Sequence, residues 1–61
     1  MPNITSKELT ALEDLLAGEQ LAVKKYQDFA IRVSDPALKS KYEQMASQHR
    51  QHYQKLVKFL G

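Results

Sequence analysis

Only two histidines occur in the chain, His49 and His52, within the run Gln48-His49-Arg50-Gln51-His52-Tyr53. A spacing of three puts both rings on one face of a helix. There an imidazole nitrogen can ligate a divalent cation or hydrogen-bond a carboxylate. Glu19 is the one acidic residue that falls within the apolar repeat described below, so it is the natural third member. Two histidines three apart, facing a glutamate on a neighbouring helix, have the spacing that metal sites in helical bundles use. Glu19, His49 and His52 are therefore the candidate metal ligands. Other chemistries find no support. The chain has no cysteine, Ser47 has no evident His–Asp relay, and no glycine-rich loop could cradle a phosphate.

The elements that must position these residues can be read from helix signals. Thr5 and Glu8 form a T-x-x-E capping box, and Ile4 and Leu9 occupy the two positions of a hydrophobic staple. This predicts a first helix from about Ser6 to Val33. Ser34-Asp35-Pro36 is the break: the residue before a proline is driven from the helical region, which suits Asp35 as N-cap and Pro36 as first helical residue. A second helix is expected over 36–60, with Gly61 past its end. Gly18 lies inside the first helix at a cost of roughly 1 kcal/mol against alanine and is expected to be tolerated there, a close approach of another backbone being one reason for it. The fold class is all-α, a single helical-hairpin domain over 1–61 with its turn at 34–35.

Periodicity carries most of the information. Leu9, Leu12, Leu16, Glu19, Val23, Tyr26, Ala30 and Val33 alternate three and four apart, with Leu15, Ala22 and Phe29 widening the stripe. Leu38, Tyr42, Met45, His49, His52, Leu56 and Phe59 follow the same alternation, flanked by Ala46, Tyr53 and Leu60. Sustained heptads imply helices packed nearly along one another, and the short turn makes them antiparallel. A hairpin cannot cover stripes this wide, so the expectation is a homodimer forming a four-helix bundle. Leu21, Ile31 and Val57 lie off the stripes.

Pairing the seam across the turn sets Val33 against Leu38, Tyr26 against Met45 and Glu19 against His52, each pair summing to 71. Three ionisable residues are thus expected at one height of an apolar interior. Such groups must satisfy each other, meet water or bind something. The residues alone leave open a bound cation, a metal-free Glu–His layer that fixes register, and a shifted register that exposes all three. Tyr26, Tyr42, Tyr53 and Met45 read as core filler.

Composition narrows the partners. Sixty-one residues make one small domain, marginal alone, and without cysteine the remaining supports are self-association or a metal held by His and carboxylate. Nine basic and seven acidic residues give a net charge of +2, too mild to imply nucleic acid or anionic lipid. Steeply crossing short helices with a basic recognition helix are also missing, so DNA reading is not expected. Apolar runs reach only two or three residues, and "MPNITSKE" lacks the apolar core of a secretion signal. The expectation is cytoplasmic synthesis without a signal peptide and no membrane partner. Glu8, Glu13 and Asp14 share one end of the hairpin with Lys55 and Lys58, where they suit the helix dipoles and could pair. Lys24, Lys25 and Arg32 form a solvated face.

The run Glu19-x-x-Ala22-x-x-x-Tyr26-x-x-x-Ala30, continued by Asp35-Pro36-x-Leu38-Lys39 and Met45-Ala46-x-x-His49-x-x-His52, resembles the ferritin-like (rubrerythrin-like) superfamily. It is most similar to the small ferritin-like spore coat proteins of the coat F type. The resemblance covers nearly the whole chain but only half of a ferritin-like bundle. In the superfamily's enzymes the first helix gives a glutamate ligand and the second gives Glu-x-x-His; Glu19 and His52 match, and His49 stands in place of the second glutamate. That departure removes the carboxylate that would bridge two ions. Of zinc and iron, the resemblance then favours a single divalent ion such as Zn²⁺ over di-iron redox chemistry. It implies a structural role, with other spore coat proteins as partners and the spore coat as location, rather than catalysis. The expected function is a small self-assembling structural protein. A metal-binding ferritin-like protein with the Glu/His site at the dimer core is the alternative, and a hairpin docking on a partner protein is a further one.

Overall fold

The computed structural model describes residues 4–60. The first helix, α1 (Ser6–Arg32), opens on the capping box: Thr5 Oγ1 accepts from the Glu8 backbone N–H at 3.1 Å, and Glu8 Oε1 accepts from the Thr5 N–H at 3.0 Å. Two N–H groups that a helix start leaves without partners are thereby satisfied. α1 ends one residue earlier than the periodicity suggests. Val33 is extended (φ −81°, ψ 141°), and its N–H closes the last turn on the Phe29 carbonyl at 3.0 Å.

The chain reverses over Val33, Ser34 and Asp35. Asp35 caps α2 (Pro36–Val57) through Oδ1, which accepts from Ala37 N–H at 2.8 Å and Leu38 N–H at 3.0 Å. Pro36 sits in the first turn, where its missing N–H costs nothing. α2 does not stay α-helical to residue 60; it tightens into a single 3₁₀ turn at Lys58–Leu60. Terminal turns often tighten this way, because the last carbonyls have no i+4 donors to bond. Gly61 lies outside the described residues.

The two helices form an antiparallel hairpin, a flat layer whose Cα atoms extend 47 × 15 × 10 Å. Only Leu12, Ala30 and Ala46 are buried among the described residues. Ala30 and Ala46 also floor a groove between the helices, walled by Gln27, Ile31, Lys39 and Arg50. On this scale the hairpin has a seam more than a core.

Which columns the seam covers decides the rest. Tyr42, Ala46, His49 and Tyr53 of α2 are buried or half-buried, whereas Leu38, His52 and Phe59 are exposed. In α1, Leu12 and Ala30 are sealed while Leu15 and Phe29 remain open. Two cylinders touch along one line, so the column beside that line on each helix stays uncovered. Gly18 lies in mid-helix, and a Cβ built there would meet nothing within 4 Å. The close approach of another backbone suggested for Gly18 is not met within this chain. Nor does any ion pair among the described residues join Glu8, Glu13 or Asp14 to Lys55 or Lys58. Lys24 and Asp28 pair instead, at 3.5 Å on one exposed helix face.

Candidate metal centre

Glu19 stands thirteen residues from either end of α1. Across the seam are His49 and His52, brought level with it by the antiparallel register although they lie thirty and thirty-three positions further along the chain. Glu19 Oε1 lies 2.6 Å from His49 Nδ1, and Glu19 Oε2 lies 3.4 Å from His52 Nδ1. Each carboxylate oxygen therefore faces one imidazole. The pairing of Glu19 with His52 across the turn is the one the residue numbers predict, and His49 joins from one turn earlier.

The short contact is a charge-assisted hydrogen bond, with His49 Nδ1–H donating to the carboxylate. It holds the Glu19 carboxyl below its ordinary value. Partial burial opposes the shift, and the His52 and His49 rings add to it. The lowering means the carboxylate is ionised and available as a ligand at neutral pH. Its environment is graded: the Glu19 side chain is 21% exposed, His49 31% and His52 53%. His52 is thus the open door of the site.

Aromatic packing stiffens the closed side. Tyr26 stacks on His49 with ring centroids 5.6 Å apart and planes 14° from parallel, and stacks on Tyr42 at 6.1 Å and 21°. Phe29 packs tilted against Tyr42 at 5.3 Å, and the Lys25 Nζ lies 5.6 Å from the Tyr26 ring centre. His49 and His52 meet edge to face at 5.6 Å. Core filler describes Tyr26 incompletely, because it is the wall that orients His49. Its seam position one heptad after Glu19 was the available signal.

Glu19, His49 and His52 form a group that can hold a metal ion: each offers one ligand atom, and these lie within 4.8 Å of one another. Tetrahedral ligands of Zn²⁺ stand roughly 3.3–3.6 Å apart, given bonds of about 2.0–2.2 Å. The half-exposed His52 is the ligand with most room to move toward that spacing. Nitrogen and oxygen donors without thiolate suit a borderline dication. No helix among the described residues is long and apolar enough to cross a membrane.

No protein-family model, curated protein or solved structure matches this chain.

Proposed function

We propose that this chain is a helical hairpin of ferritin-like type that binds a divalent metal ion, zinc before iron, through Glu19, His49 and His52. The observation that supports this reading is the convergence of the chain's only two histidines on one ionised carboxylate at mid-length of the hairpin. A bound ion of this kind would supply structural cross-linking of α1 to α2. The three side chains supply two neutral donors and one charge, and Tyr26 fixes the ring of one of them.

The test uses untagged protein exposed to Zn²⁺ or Fe²⁺ and then dialysed. Wild-type chain should retain stoichiometric metal, and Glu19→Ala or His52→Ala should each abolish it. A ligand at about 100 times its Kd stabilises the fold by about 2.7 kcal/mol, so a chelator should lower the melting temperature of the loaded protein. Unchanged metal content in both variants would overturn the reading.

A second reading is favoured by a separate observation. Leu15, Phe29, Leu38 and Phe59 stay open while only three of the described residues are buried, which suits a self-assembling structural protein similar to the small spore coat proteins. In that reading the Glu–His set fixes register without metal, and a place in the spore coat follows from the resemblance. A well-folded monomer at micromolar concentration in the ultracentrifuge would count decisively against it.

A further inference from the structure

The side of the hairpin away from the Ala30/Ala46 groove carries two heptad columns, Leu15 and Phe29 on α1 and Leu38, Met45 and Phe59 on α2. His52 lies within the second column, midway between Met45 and Phe59. The most exposed ligand of the Glu–His set therefore shares a column with the exposed Leu38 and Phe59.

We propose that a second copy of this chain covers that face, and that the two copies hold one divalent cation between their Glu19/His49/His52 sets. Metal binding and dimerisation are then linked. The proposal rests on the metal-binding reading above and adds to it a partner and a stoichiometry.

Size favours a second copy as the occupant. The Cα extent of 47 × 15 Å outlines a broad face with a footprint of roughly 700 Å², of the order of the about 800 Å² of accessible surface that each partner of a standard interface buries. Position favours a shared ion. For two hairpins packed face to face in full overlap, a two-fold axis runs either along their length or across their middle. An axis along the length sets every level beside its own counterpart. An axis across the middle does so only at mid-length, where Glu19 sits thirteen residues from both ends of α1. Under either axis the two Glu–His sets meet.

Charge favours one ion rather than two. Closing the face would bring two ionised carboxylates together in a low-dielectric layer, where unbalanced charge is costly. One dication cancels two carboxylates, and two dications would leave the layer positive. Coordination agrees: one chain offers three donors, one short of the four a closed zinc site needs, and a shared ion can draw on both copies.

The experiment is sedimentation equilibrium of the full untagged chain, titrated with zinc chloride or held in EDTA, alongside direct measurement of bound zinc. Zinc should tighten dimerisation by roughly tenfold or more, within the usual size of linked binding, and should saturate at one ion per two chains. His52→Ala should abolish the difference in association between zinc and EDTA, whatever its effect on the metal-free dimer, because His52 lies on the covered face; circular dichroism confirms its fold, and His52→Gln serves as a second variant. Phe59→Ser should weaken the dimer with or without zinc. One zinc per chain with unchanged association overturns the shared ion and leaves the metal-binding reading standing. No zinc bound by the wild-type chain overturns that reading itself.

Discussion

The surroundings of Glu19 and of Glu8 hold each carboxyl below its ordinary value of 4.5, and the causes differ. For Glu8 they are the hydrogen bond from the Thr5 backbone N–H and then the Thr5 hydroxyl, with slight desolvation opposing. For Glu19 the His49 hydrogen bond comes first. A carboxyl lowered in the folded state contributes stability that is complete above its unfolded value and fades as pH falls through its folded one. The metal-free hairpin should therefore lose stability from about pH 5 downward, the region where unperturbed carboxyls titrate. Thermal melts in chelator should show this slope, and Glu8→Gln and Glu19→Gln should each flatten it. A slope unchanged in both variants would mean these contacts do not form in solution. Glu19 and its two histidines could be picked out beforehand because a polar residue on an apolar seam is conspicuous. The division of labour among them could not. Periodicity places a side chain on a face, but only its neighbours set how much water reaches it, and so His49 is stacked under Tyr26 while His52 is half open.

Among the elements, both helix starts were readable because capping is local: Thr5, Glu8, Asp35 and Pro36 act on backbone groups within four residues. The tightening of α2 at Lys58–Leu60 has no such local signature, since Lys58, Phe59 and Leu60 are compatible with continued α-helix. Two substitutions probe the elements in opposite directions. Asp35→Ala removes an acceptor for two N–H groups and should cost about 1 kcal/mol or somewhat more. Gly18→Ala adds a methyl in open space and should stabilise α1 by up to about 1 kcal/mol. In a domain this small such changes shift Tm by roughly 4–8 °C per kcal/mol, well within reach of calorimetry. Destabilisation by Gly18→Ala would show that something outside the chain presses on that position.

For the hairpin taken entire, the small residues matter more than the large ones. Ala46 and Ala30, 3% and 5% exposed, are the most enclosed side chains among the described residues. Ala46→Leu should force the helices apart at a cost of about 1–3 kcal/mol, as overpacking does, whereas Leu21→Ala on the outer face should stay within about 0.5 kcal/mol; urea melts would separate the two. The residue pattern alone determined an all-α hairpin, its break at Asp35-Pro36, the cross-turn register and the three polar seam positions, because spacing and capping are properties of the chain in one dimension. Tertiary packing decided which seam column is sealed and which nitrogen faces which oxygen. It also decided that His52 is left open, together with Leu38 and Phe59 of its own column. The reason is geometric: two helices meet along a single line, and no repeat of seven residues states on which side of that line a given column will fall.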